Sequence, residues 1–218
     1  MKVLASVAFA VLISAPAFAA GGTDAGMAVA VGGDVFTKPG TGGKPLRLPP
    51  FSKIRDGDKL TLEEGGSVQI LFYDTGRRET WPGPSTIVVG EKEAKLVKGT
   101  VDPVIEDMGG NVGMSMSSLS VILTQAEKER GGMTLVRGPK GAPVELDDFE
   151  RKEIDKARAN YDRLITEQAN GIMAELYLAS VLLTCDQRND AKDVLNTAVE
   201  KCAECEVPKL LLDWANRD

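Results

Sequence analysis

The sequence predicts an α+β chain: an N-terminal all-β roll or sandwich followed by a C-terminal array of packed α-helical hairpins. Three observations carry this. From Met27 to about Lys98, short β-branched and apolar runs are broken by turn residues every ten or so positions. From Asp147 onward, apolar residues recur at three-four spacing, the period of a helix face. Within that helical half, Ala157, Tyr161 and Leu164 recur as Ala191, Leu195 and Ala198, each pair 34 positions apart.

Residues 1–19 read as a leader rather than as part of the fold. Lys2 supplies a positive start, Val3 to Ile13 an apolar run too short for a bilayer, and Ala17-Phe18-Ala19 a small-x-small cleavage pattern. Cleavage is expected after Ala19, with no cysteine at the new N-terminus to carry a lipid. No later run is long and apolar enough to span a membrane, so the expected product is a soluble, exported, periplasmic protein. Its net charge is −6, or −7 once Lys2 leaves with the leader. That acidity argues against nucleic acid and anionic lipid as partners, because both demand a positive field. The absence of histidine excludes Ser-His-Asp and Cys-His catalysis and the usual zinc and haem sites. No cofactor is expected.

In the β half, Val29-Ala30-Val31 and Val35-Phe36 flank Gly32-Gly33-Asp34, which reads as a hairpin turn. A Gly, Pro and Lys-rich loop runs from Lys38 to Pro50. Asp56-Gly57-Asp58 turns into Lys59–Leu62, and Glu64-Gly65-Gly66 into Ser67–Tyr73. Asp74-Thr75-Gly76 separates that strand from Arg77–Trp81, and Pro82-Gly83-Pro84 ends the next one, since proline cannot join a central ladder. Ser85–Val89 and Glu93–Val97 complete the set. Residues 99–146 read as a linker, with one helix from Ser117 to Arg130 that carries Leu119, Ile122, Leu123 and Ala126 on one face; the stretch RGPKGAP returns to loop.

The helical half, 147–218, opens with Asp147-Asp148, a good N-terminal cap against the helix dipole. Asn170-Gly171 breaks the first helix. A second is expected from Ile172 to Cys185, a third from Asn189 to about Cys202, and a fourth from Val207 to Asn216. The 34-residue step is the tetratricopeptide period. Ala-x3-Tyr and Ala-x3-Leu resemble that family's second-helix signature, and Leu178-Ala179 with Leu182 fall where its first-helix signature belongs. Glu175 stands where the family has a bulky residue. The resemblance implies one full repeat with a half repeat before it and a capping helix after it.

The β half, 27–98, resembles the periplasmic FecR-type domain, named for the ferric-citrate regulator. The resemblance rests on GGDV and then on RDGDKLTLEEGGSVQILFYDTGRRETWPGPSTIVVG, about a third of the chain. FecR regulators also carry a membrane span and a cytoplasmic segment, and neither is read here, so only the extracytoplasmic module carries over. Together the two resemblances imply a non-catalytic binding or scaffolding protein of the cell envelope that engages other envelope proteins.

Four sets of side chains are candidate sites. In the second helix, Met173, Leu176, Ser180 and Leu183 would line the concave side of a tetratricopeptide-like array and hold a partner's peptide or helix. The alternative is that the C-terminal helix or the β domain covers this face, as expected of a helix apolar on every side. Arg77, Arg78 and Trp81 crowd one turn. They either bind an anion or a glycan by guanidinium contacts and stacking, or, with Glu79, make cross-strand charge pairs. Strand alternation puts Arg77 and Glu79 on the face opposite Arg78 and Thr80, with Ile70, Phe72 and Trp81 candidates for the interior. Cys202 and Cys205 form a C-x-x-C at a helix C-terminus, where the dipole opposes a thiolate and Glu204 and Glu206 add to it. A local structural disulfide is the favoured reading and thiol-disulfide catalysis the alternative. Cys185 ends the antiparallel neighbour, about 20 Å from Cys202 at 1.5 Å per residue, and is read as a buried thiol or an intermolecular link.

Overall fold

The computed structural model describes residues 22–131, 146–167 and 171–217. The expected leader, the loop at RGPKGAP and Asn170 lie outside the described residues. Ten strands come first: β1 (Asp24–Gly32), β2 (Val35–Lys38), β3 (Leu46–Arg47), β4 (Ser52–Arg55), β5 (Lys59–Leu62), β6 (Ser67–Phe72), β7 (Arg77–Pro82), β8 (Ser85–Val89), β9 (Ala94–Lys98) and β10 (Val104–Asp107). Five helices follow: α1 (Gly110–Arg130), α2 (Asp148–Glu167), α3 (Met173–Thr184), α4 (Arg188–Lys201) and α5 (Glu206–Asn216). The mixed α+β class expected from the sequence is thus observed. Among the described residues no helix is long and apolar enough to cross a membrane.

The strands form two antiparallel five-stranded sheets, ordered β10-β7-β6-β1-β4 and β3-β2-β5-β8-β9. This changes how the turns are understood. β1 and β2 do not pair with each other, so Gly32-Gly33-Asp34 makes no hairpin; it carries the chain from one sheet to the other. Gly33, at φ 64, adopts the left-handed conformation this crossing needs. The turns at Asp56–Asp58, Glu63–Gly66 and Pro82–Pro84 switch sheets likewise, whereas β6–β7 and β8–β9 are true hairpins. The loop expected at Lys38–Pro50 contains β3, which pairs with β2.

Period-two alternation sorts the first sheet's side chains between two cores. Ala28, Ile70, Phe72 and Trp81 pack against Leu60, Leu62, Ile87 and Val89 of the second sheet. Met27, Val29, Leu71 and Tyr73 face the other way and join a larger core made with the helices. Three layers result: sheet, sheet, helices.

The stretch expected to be a linker makes the connection. β10 extends the first sheet beside β7, and α1 begins at Gly110 rather than at Ser117. Gly110 and Gly113 are poor helix formers, so local propensity hides this first turn. Packing explains it: a Cβ on Gly113 would lie 2.2 Å from the Tyr73 carbonyl oxygen, so only glycine lets α1 rest its backbone on the end of β6. From there Val112, Met116, Leu119, Leu123 and Ala126 form one buried stripe along α1.

From α2 to α5 the helix boundaries match the sequence reading within a few residues. At the start of α2, the Glu150 backbone N–H donates to Asp147 Oδ1 (2.7 Å) and the Asp147 N–H to Glu150 Oε2 (3.0 Å), a reciprocal capping box. Successive helices from α2 to α5 pack on one another, while α1 packs on α3 and α5. Of the residues spaced 34 apart, Ala157, Leu164, Ala191, Leu195 and Ala198 are buried; Tyr161 is half-buried.

Candidate functional site

Met173, Leu176, Ser180 and Leu183, the residues expected to line a concave groove, are all buried. Besides α2 and α4, the covering element is α1, which the sequence reading had left inside a linker, and which packs on α3 and α5 and shares a core with one face of the first sheet. An apolar α3 is stable in water because α1, α2 and α4 enclose it.

What remains open is the seam where α1, α2 and α3 meet. A cleft of about 210 Å³ lies there, between Met114 and Ser118 of α1, Phe149 and Glu153 of α2, and Tyr177, Val181 and Cys185 at the end of α3. Phe149 is 71% exposed and Met114 62%. Two large apolar side chains flanking one cleft on a strongly charged chain are a candidate docking point. At its floor the Tyr177 hydroxyl accepts from Asn160 Nδ2 (3.2 Å), and burial raises its pKa. Burial, with the carboxylates of Glu150, Glu153 and Asp147, also raises the Cys185 thiol, which keeps it protonated and poorly nucleophilic. A larger cleft, of about 590 Å³, separates Pro49–Lys53 from α1 and the start of α5, with Glu127, Glu204 and Glu206 on its walls.

Arg77, Arg78 and Trp81 do not converge. Arg77 lies on the face of β7 that looks toward the second sheet, with Glu79 and Trp81, and Arg78 on the other. The Trp81 ring is buried. Glu79, fully buried, gathers three donors: Arg77 Nε at 2.6 Å, Trp81 Nε1 at 2.8 Å and the Ala94 backbone N–H at 3.1 Å. Because Ala94 belongs to β9, this carboxylate ties the two sheets together. Arg78 donates through Nε and Nη2 to Glu106 Oε2, directly across the β7–β10 ladder, at 3.1 and 2.6 Å. Charge pairing is thus observed, but with Glu79 it lies within β7, and the cross-strand pair joins Arg78 to Glu106, which the sequence reading did not name. Its face assignment for Arg77, Glu79 and Arg78 holds, but it did not foresee that Glu79 would be buried.

Cys202 and Cys205 lie at disulfide distance, with 1.98 Å between their sulfurs. Cys202 closes α4, as expected, whereas Cys205 is the N-terminal cap of α5. The dipole argument therefore holds for Cys202 alone. Cys185 is free. Glu175 is a second fully buried carboxylate: its Oε1 accepts from Lys201 Nζ (2.5 Å) and from the Tyr161 hydroxyl (3.5 Å). That ion pair joins α3 to α4 at the position where a bulky residue was expected, and it raises the Lys201 pKa. No family model, curated protein or solved structure matches this chain.

Proposed function

We propose that the chain is a non-catalytic, exported binding or scaffolding protein of the cell envelope, with a FecR-type β module and a tetratricopeptide-like helical module held in one frame by α1. The observation that carries the reading is the α1–α2–α3 seam, where Phe149 and Met114 stand exposed beside an apolar cleft. An apolar anchor residue of a partner protein fits such a cleft better than a polar metabolite does. Export is supported by the leader pattern of residues 1–19 and by a cysteine pair at bonding distance, since disulfides persist in oxidising compartments. Glycan or anion binding through Arg77, Arg78 and Trp81 draws no support from a buried indole and two arginines on opposite faces. Redox use of Cys202 and Cys205 draws none beyond the pair itself.

The test is a cross-linked pull-down from envelope extract with the leaderless chain and with Phe149→Ser and Met114→Lys variants. Both positions are exposed, so folding is retained, unlike substitutions at Leu176 or Leu183, which would open the core. One protein recovered by the parent and lost from both variants supports the reading. A recovered protein indifferent to both variants, or none at all, refutes it.

A further inference from the structure

The second sheet is the outermost layer of the molecule. One of its faces packs on the first sheet through Leu60, Leu62, Ile87 and Val89, and none of its strand residues enters the core made with the helices. Side chains alternate along each strand, so Lys38 of β2, Lys59 of β5 and Lys95 of β9 lie on the other, open face. Lys98 joins them beyond the irregularity at Val97, opposite Thr86.

Charge is segregated here. No strand of this sheet carries an acidic residue, although the whole chain has a net charge of −6. Arg47 of β3 pairs with Asp34, but Lys38, Lys59, Lys95 and Lys98 are exposed and make no side-chain hydrogen bond or ion pair among the described residues. Register lines three of them up: Lys38 lies opposite Lys59, Lys59 opposite Val88, and Val88 opposite Lys95. They stand in one row across the strands, ~14 Å long at ~4.8 Å per strand. Like charges directly opposite one another destabilise a sheet, and no carboxylate among the described residues pairs with Lys38 or Lys59 to offset this.

We infer that this face binds an extended acidic polysaccharide, laid across the strands with its repeated carboxylates on the lysine row. The cations follow a line on an open face that lines neither of the clefts described above, which suits a linear polymer better than a compact anion. Lysine places a point charge on a flexible stem, so it follows repeated carboxylates without the fixed fork that arginine imposes. Beside the row, Phe36 and Thr61 lie opposite each other across β2 and β5, both partly exposed. They offer a sugar unit an apolar ring edge and a hydroxyl. A bilayer surface would draw on projecting apolar side chains, whereas Phe36 and Val88 are each half-buried. An acidic peptide strand adds to the edge of a sheet rather than to its face. This inference concerns a different surface from the α1–α2–α3 seam and does not rest on the partner-binding reading above.

Titration of the leaderless chain with polygalacturonate at low ionic strength tests it. Dextran serves as the uncharged polymer, and poly-glutamate and phosphatidylglycerol vesicles as the other anions. The parent binds polygalacturonate more tightly than poly-glutamate or the vesicles, and does not bind dextran. Lys38→Gln with Lys59→Gln, and Lys95→Gln with Lys98→Gln, each weaken binding at least about tenfold, because two cations leave the row or its margin. Lys152→Gln with Lys209→Gln makes the same change in net charge on α2 and α5 and leaves binding unchanged. All of these lysines are exposed, and circular dichroism verifies an unchanged fold. A parent that ignores polygalacturonate overturns the inference, as does one that binds poly-glutamate or the vesicles as tightly. So do sheet variants that bind like the parent, or a helix control that loses as much as they do.

Discussion

Replacing Glu79 by alanine removes the acceptor for three donors at once. Two of them, Trp81 Nε1 and the Ala94 N–H, belong to buried residues; the third, Arg77, is about one-third exposed and can turn to solvent. Leaving a buried donor unsatisfied costs ~1–3 kcal/mol each. Relief from burying the carboxylate offsets part of this ~2–6 kcal/mol, so the expected net cost is about 2–4 kcal/mol. Glu79→Gln keeps the volume and one carbonyl oxygen. That oxygen can still take the Trp81 and Ala94 donors, while the amide nitrogen faces Arg77 and displaces it toward water. Its expected cost is about 1–2 kcal/mol. Urea unfolding followed by circular dichroism reads both, with the denaturant slope unchanged if only the native state is affected. In a Trp81→Phe background, Glu79→Ala should cost ~1 kcal/mol less, because one orphaned donor is already gone. The reasoning fails if Glu79→Ala costs under ~1 kcal/mol, or if Gln and Ala cost the same, which would place the effect on charge rather than on hydrogen-bond acceptance.

Other perturbations probe the same frame. Gly113→Ala drives a Cβ against the Tyr73 carbonyl oxygen and should lower stability by ~1–3 kcal/mol, with near-ultraviolet dichroism reporting α1 shifted off the sheet; an unchanged midpoint would count against the close docking. Reducing the Cys202–Cys205 pair, or replacing both by serine, opens a very small loop and should cost no more than about 2 kcal/mol, leaving helix content by circular dichroism unchanged. Burial pushes the Tyr73 hydroxyl up to about 12, and the neighbouring Ser120 hydroxyl acts in the opposite direction. The unfolded chain's tyrosine ionises first, near 10, so this stabilisation is whole below pH ~10 and is lost as pH rises toward 12, up to ~2–3 kcal/mol. Tyr73→Phe should flatten that part of the stability profile in denaturant titrations between pH 9 and 12; an unaltered slope would assign the alkaline loss elsewhere.

Local chemistry made much of this legible. Asp147-Asp148 marked the start of α2, and the structure adds Glu150 as the reciprocal partner of Asp147 in a capping box. Turn residues placed the ends of β5 to β9, and strand alternation put Arg77 and Glu79 on one face and Arg78 on the other. A cysteine pair three residues apart, closing a helix and flanked by glutamates, was read as a local disulfide, and the two sulfurs lie at bonding distance. What remained hidden depended on partners far along the chain. Gly32-Gly33-Asp34 reads equally well as a hairpin or as a crossing between sheets, and only the pairing of β1 with β6 and of β2 with β5 decides. Glu79 looked like any exposed strand glutamate until Ala94, fifteen residues away, came over it. Gly113 argued against a helix until the Tyr73 carbonyl required its missing side chain.

The sequence by itself determined the class, the boundaries of β5 to β9 and of α2 to α5, and the faces of β7, because propensity, capping and the two- and 3.6-residue periods are written in near neighbours. Only the tertiary structure decided which strands share a sheet and that α1 closes the face of α3. It also decided that β10, hidden in an apparent linker, extends the first sheet beside β7. Those outcomes turn on which distant apolar surfaces can be buried together, and no window of local sequence contains both surfaces.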